Sequence, residues 1–468
     1  MSEHRPTYDD LLEAVQRLQR QVEALQADNA RLRAELDEGR RAAKRQAAPF
    51  AKGPPKPDPK RPGRRPGPRH GRHGHRPTPS PEQVDEAHDA PLPDACPDCG
   101  GPVEETHLDT QFQTDIPRRP VVRRFTVHCG RCRSCGRPCR GRHPLQTSDA
   151  TGACASQVGP DAQAAVVLLN KEAGLSHRKV ARAFDALFGI RLTRGACTQI
   201  VLRAGRRLRP AYQEVRRRLK ESKRLTPDET GWRVGGQPAW LPCWVGDGMT
   251  CYDIHPQRGA GALVAVIGLG FDGILIHDGW AAYDRFEEAI HQQCVAHVLR
   301  RARELEQSQS GRARVLPRQV ISLFQGALRV RDAALAGEVD AQELEREHLR
   351  HVNALLDLTE RPRANEANRL LAQHLWDHGE QWFMFLIDPS LPATNYQAEQ
   401  AIRPAVVNRK VWGGNRTEPG AEAQKVILSV LETCKQQLLS GFQYVRDTLC
   451  HGFASLFGRT ATPAPTGR

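Results

Sequence analysis

The residues best suited to chemistry in this 468-residue chain are three carboxylates. Asp228 lies in Leu-Thr-Pro-Asp-Glu-Thr, Asp278 in Ile-Leu-Ile-His-Asp-Gly-Trp and Glu399 in Asn-Tyr-Gln-Ala-Glu-Gln-Ala-Ile-Arg. Two of them close β-like apolar runs and the third opens a helix-like segment. The chain around them is basic, with a formal net charge of +14, so an acidic cluster here points to divalent metal held against a polyanion. Attack on a phosphodiester develops charge on both the entering and the leaving oxygen. Two magnesium ions about 4 Å apart, or manganese in their place, stabilise both; Asp and Glu supply hard oxygen ligands for such ions and leave room for phosphate and water. In this reading Asp228 bridges the ions, while Asp278 and Glu399 each complete one. Glu229 is the nearest rival, but on a strand it faces away from Asp228. Asp247, Asp253, Asp272 and Asp284 read as turn or surface residues.

A second chemistry is carried by sulfur. Cys96-Pro-Asp-Cys99-Gly and Cys132-Arg-Ser-Cys135-Gly are paired knuckles, with a strand-like run at 121–127 between them. Four thiolates from such pairs satisfy one tetrahedral zinc and leave no open position, so the metal is structural. Cys129 and Cys139 flank the second knuckle and stand as alternative ligands, whereas His107 and His128 read as ordinary surface or strand histidines. Cys294 and His297 sit one helical turn apart; with no second pair nearby, packing or hydrogen bonding suits them better than half a metal site. The first residues lack the apolar core of a signal peptide, and thirteen cysteines then argue for reduced thiols and a cytoplasmic, nucleoid-associated protein. No run approaches the roughly 20 apolar residues of a membrane span.

These groups need elements to position them. Residues 1–40 carry a heptad with Tyr8, Val15, Val22, Asn29 and Leu36 at a, and Leu11, Leu18, Leu25 and Leu32 at d, a coiled coil that favours a homodimer. Residues 41–85 are a Pro/Gly-rich basic linker whose Arg61, Arg64 and Arg65 can track phosphates or enter a minor groove. The zinc-binding module spans 86–145. Over 146–220 the pattern is helical: an apolar helix at 162–169, a second over 177–188 capped by Ser176, a turn at Gly189, and a third over 194–209 capped by Thr193. That is helix-turn-helix grammar, with Arg194, Gln199 and Arg203 on the last helix; a plain helical hairpin is the alternative. Short strands follow at 223–226, 239–246 and 250–254, with turns at Gly235-Gly236 and Asp247-Gly248, then a helix at 261–269 and a buried strand at 273–277. Three strands, a helix and another strand with carboxylates at their ends predict an α/β ribonuclease-H-like catalytic domain. Its first part is 221–300 and its second is 391–440, with Glu399, around a helical insertion at 301–390. Residues 441–468 read as a tail. After Glu399, Arg403, Arg409 and Lys410 can grip phosphate or hold the acid, and Trp412, followed by Gly413, Gly414 and Arg416, can stack a base or be buried.

Asp-Glu-Thr-Gly-Trp at 228–232, His-Asp-Gly-Trp-Ala-Ala-Tyr at 277–283, Cys294-Val-Ala-His297-Val-Leu-Arg300-Arg301 and Asn395-x-x-x-Glu399-x-x-x-Arg403-Pro404 occur in that order. Together with the heptad, the knuckles and the Trp412-Gly-Gly-Asn-Arg416 segment, they resemble the DDE transposases of the insertion sequence 66 family. The resemblance implies Asp228, Asp278 and Glu399 as catalytic acids, magnesium-dependent cleavage and strand transfer, and transposon-end and target DNA as partners, with accessory proteins of the same element possible. Rival readings are a DNA-binding regulator with an inactive nuclease domain and a structure-specific nuclease. The extra Cys129 and Cys139 depart from the pattern and leave the zinc ligand set open.

Overall fold

A computed structural model describes residues 78–114, 120–143, 145–146 and 157–458, together with 19, 21–23, 25–29 and 31–32. The chain divides into two compact units after Pro77. In the first, the described residues are helical, and Val22, Leu25 and Leu32 expose their apolar side chains. Asn29 is helical and exposed as well; the remaining heptad positions (Tyr8, Leu11, Val15, Leu18 and Leu36) and Arg61, Arg64 and Arg65 lie outside the described residues.

In the second unit, an antiparallel hairpin pairs Cys129–Arg131 with Pro138–Arg140 around the second cysteine knuckle. Beyond it the chain builds a five-stranded mixed sheet. Its strands are β1 (Arg224–Val234), β2 (Gln237–Gly246), β3 (Met249–Tyr252), β4 (Ile274–His277) and β5 (Ile290–Gln293), in the order β3-β2-β1-β4-β5. β1, β2 and β3 form an antiparallel meander, and β4 and β5 add in parallel to the other edge of β1. Parallel addition requires a crossover, which helix α4 (Ala260–Ile267) provides between β3 and β4. This mixed sheet with flanking helices fits a ribonuclease-H-like domain.

Among the described residues of this unit, three α-helices lead into the sheet: α1 (Pro160–Lys171), α2 (His177–Phe188) and α3 (Arg194–Leu219). Their ends follow the expected local chemistry. Ser176 accepts from the Lys179 N–H, Gly189 closes α2 at φ 65°, and Thr193 accepts from the Ala196 N–H. α3 runs ten residues past the 194–209 expected, because Pro210 is accommodated within it. Its buried stripe (Ile200, Ala204, Leu208, Ala211, Val215 and Leu219) recurs at helical spacing and packs into one core with Leu225, Trp244 and Leu275 of the sheet. The helical region is therefore no separate module; it floors the sheet.

After β5 the chain forms α5 (Val295–Ser308), α6 (Val315–Leu335), α7 (Ala341–Thr359), α8 (Glu366–His378) and the short α9 (Met384–Ile387). These helices have their own core, built on Val298, Phe324, Leu355, Leu375, Trp382 and Phe383. The chain then returns through α10 (Tyr396–Ala401), α11 (Arg403–Trp412), α12 (Glu418–Gln436) and α13 (Gly441–His451). Ala398 and Ala401 of α10, Ala405 of α11 and Ile402 between them cover the second face of the sheet against Leu241, Cys243 and Tyr252. Residues from 441 on were expected to be a tail. Instead α13 buries Tyr444, Val445 and Leu449 in the main core, because its apolar residues recur at helical spacing behind a Ser440 cap.

Candidate active site

Asp228 lies within β1, not at its end: the expected short strand at 223–226 continues to Val234, through Thr-Pro-Asp-Glu-Thr-Gly. A Pro in a strand needs a side with no ladder partner for its missing N–H. β1 provides one, since its pairing with β4 covers only Arg224↔Ile274 and Leu225↔Leu275 while β2 continues along the other side. The same fifty-residue offset that pairs these strands separates Asp228 from Asp278, so the first residue beyond β4 falls level with Asp228. Two carboxylates thus meet where neighbouring parallel strands part. The Asp228 carboxylate accepts from the Glu229 N–H at 2.8 Å, and that of Asp278 from the Trp280 N–H at 3.1 Å.

Glu399 arrives from the other face. Its approach is fixed at the β5–α5 joint, where the Val295 N–H donates to Ala393 O at 2.9 Å and the Asn395 N–H donates to the Cys294 Sγ at 3.4 Å. Glu399 then faces α5, with His297 Nε2 at 3.7 Å and Arg300 at 4.0 Å from its carboxylate. The Cys294–His297 pair divides its labour: the thiol is a buried anchor and the imidazole a neighbour of the acid. Arg300 carried no role in the sequence reading; its one-turn spacing from His297 on the same helix was the available signal.

The three acids are half-buried. Burial, and after it the charges of Glu229, Asp278 and Glu399, push the Asp228 carboxyl up to about 7 despite the Glu229 N–H that opposes the rise. Glu229 turns to the opposite face, where it accepts from Arg258 at 2.7 Å and from the Tyr283 hydroxyl at 3.3 Å. Arg258 is itself held between the rings of Trp240 and Trp280. Crowded, partly desolvated carboxylate oxygens fit a hard divalent cation, which relieves their repulsion. Among the described residues no three His, Cys, Asp or Glu side chains are drawn tightly enough together to enclose an ion.

That holds for the cysteines too. The four thiols expected at one zinc are not gathered; each knuckle stands as its own turn. The turns have the same form: Cys96 N–H to Gly101 O at 2.9 Å and Gly100 N–H to Cys96 O at 2.8 Å, against Cys132 N–H to Arg137 O at 2.8 Å and Gly136 N–H to Cys132 O at 2.9 Å. In both, amides of the turn point at the first sulfur and hold its thiol below the ordinary range. Cys129 and Cys139 instead point back to Val127 O and Arg137 O.

The sequence profile described as "Transposase IS66 family" matches residues 155–423, more than half of the chain. The chain belongs to the IS66 family of transposases. No curated protein matches it. The matched span takes in α1–α3 and all three acids, but not the cysteine knuckles. Membership makes DNA the partner of this transposase. Of the basic residues expected at DNA, Arg194, Arg203, Arg403 and Lys410 are exposed, with Gln199 beside the first two on α3. Arg409 is engaged within the fold, donating to Gly231 O of β1 at 3.0 Å. Trp412 stacks over the buried Lys171 ammonium, 5.5 Å from the ring centroid. Of the glycines after it, Gly413 caps α11 at φ 82°, while Gly414, at φ 109°, lies so close to β1 that a Cβ would clash with Arg233 O, and Asn415 pairs with β1 on both sides of Val234. No helix of the described residues is long and apolar enough to cross a membrane.

Proposed function

We propose that this transposase cuts and joins DNA at a divalent-metal site formed by Asp228, Asp278 and Glu399. The observation that carries the reading is the shared level of Asp228 and Asp278 at the parting of β1 and β4, with Glu399 delivered to it by α10. Magnesium or manganese bound there would supply charge stabilisation to the attacking and leaving oxygens of the phosphodiester. The chain's own residues do the rest. Asp228, central in the strand, would be the shared ligand, with Asp278 and Glu399 each completing the hold on the metal. His297 and Arg300 orient Glu399 from α5.

Transposon ends and target DNA are the substrates. Exposed Arg194 and Arg203 on α3, Arg403 and Lys410 beside the site, and the basic arm with Arg61, Arg64 and Arg65 grip phosphate. Cys96, Cys99, Cys132 and Cys135 would hold a structural zinc once the two knuckles are drawn together; the matching knuckle turns and their depressed thiols favour thiolate ligation. The heptad pairs two protomers. Purified protein with magnesium and labelled end DNA should yield nicked ends and joined products. Neither hydrolysis nor joining with magnesium or manganese would sink the proposal.

A further inference from the structure

Beneath Asp278 lies a chain of hydrogen bonds that the metal site itself does not require. His277 is fully buried at the end of β4. The Gly279 N–H approaches its Nδ1 at 3.2 Å, its Nε2 lies 2.9 Å from His291 Nδ1, and His291 Nε2 lies 3.0 Å from Phe286 O. The two ends of this series decide the middle. An amide N–H can only donate, so His277 Nδ1 carries no proton and its ring proton sits on Nε2. That proton points at His291 Nδ1, which must also be bare. His291 then keeps its proton on Nε2, against a carbonyl that can only accept. One tautomer of each ring satisfies every contact.

The turn that this series holds is the one presenting Asp278. Gly279 sits at φ 85°, with Gln293 Oε1 at 2.9 Å and His374 Cε1 at 3.1 Å from where a Cβ would be, so α8 closes the turn from above. Tyr283 packs against His277, its ring tilted by 40° at 4.7 Å between centroids, and donates to Glu229, next to Asp228. The floor of the site thus ties the strand bearing one acid to the turn bearing the other.

We infer that His277 and His291 are positioning residues: as paired Nε2–H tautomers they hold the Gly279 amide and thereby fix the Asp278 carboxylate for its metal. The part concerning metal rests on the function proposed above; the part concerning the turn does not.

Three readouts on the full-length protein test it. Long-range proton–nitrogen correlation spectra of wild type should show both rings as Nε2–H tautomers. Gly279 amide exchange should accelerate at least about tenfold in His277→Phe and His277→Gln, while His277→Asn, whose Oδ1 takes the place of Nδ1, stays near wild type. Manganese affinity by calorimetry should fall at least tenfold in the same two variants and in His291→Phe, which strips His277 of its acceptor without approaching Asp278. An Nδ1–H tautomer on His277, or unchanged exchange and affinity in His277→Phe and His291→Phe, overturns the inference. Should His277→Phe fail to fold, the wild-type spectrum and the Asn–Gln contrast still decide. If wild type binds no manganese, the metal reading fails by itself, and tautomer and exchange judge the positioning role.

Discussion

Asp228 and Asp278 are set by one sheet, whereas Glu399 is set by docking. The first two lie three residues beyond the last pair of one parallel ladder and share a common floor, so neighbouring strands carry both. The third returns after a helical unit with its own core, and is seated by contacts at the β5–α5 joint and by Ala398 and Ala401 of its own helix against Leu241, Cys243 and Tyr252. A pair fixed by hydrogen-bonded strands resists perturbation from a distance; an acid fixed by docked helices inherits the stability of those helices.

The comparison breaks first if the acids are unequal. Asp228→Ala, Asp278→Ala and Glu399→Ala should each lower strand cleavage about a thousandfold, with melting temperatures little changed. A Glu399→Ala enzyme that cuts normally would leave only the sheet-borne pair. Next in size is Phe324→Ala, which opens a cavity against Trp382 and Phe383 and should cost about 3–5 kcal/mol within the helical unit. Calorimetry should show an early transition, with activity lost at that temperature while the sheet core stays folded. A single transition shared with Leu208→Ala would mean that the two cores melt as one.

Smaller effects sharpen the contrast. His297→Ala and Arg300→Ala act only on the docked acid and should each reduce the cleavage rate about three- to tenfold, since such half-exposed contacts are worth little alone. Metal-free stability should depend on pH through Asp228. Its folded value, about 7, lies above the ordinary 3.8, so the folded state binds more protons than the unfolded one between the two. This group therefore costs stability as pH rises from about 4 to about 7. Burial lowers His177 and His374 to about 4 and His277 to about 3, so these groups add stability as pH rises toward about 6.5 and oppose Asp228. Melting followed across that range should therefore rise more steeply with pH in Asp228→Asn than in wild type; an unaltered slope would assign the trend elsewhere. Lys171, lowered by burial to about 7, acts only above this window, with stability rising toward pH 10.5.

Local signals were the legible ones. Ser176, Gly189 and Thr193 mark helix ends through their own side chains or backbone, and the structure places all three as expected. The three acids stand out in the sequence because each sits at a break in an apolar pattern, and the structure brings them close enough for the charges of Asp278 and Glu399 to act on Asp228. What escaped depended on partners distant in sequence. β1 reads as ending before Thr-Pro-Asp-Glu-Thr-Gly, since only the absence of a neighbour on one side lets Pro227 remain in the strand. Arg409 reads as a phosphate contact, and nothing near it in sequence announces the Gly231 carbonyl that claims it. Helix-turn-helix spacing likewise says nothing of which face is buried, and α3 spends its apolar face on the sheet.

The most direct test of a single site assembled from three segments is cutting of the protein by its own metal. Ferrous iron in the magnesium site, with ascorbate and peroxide, should cleave the backbone near 228, 278 and 399 together, and excess magnesium should suppress all three cuts alike. Cuts near 228 and 278 without one near 399, or cuts that magnesium does not suppress, would contradict a site that closes across the helical unit.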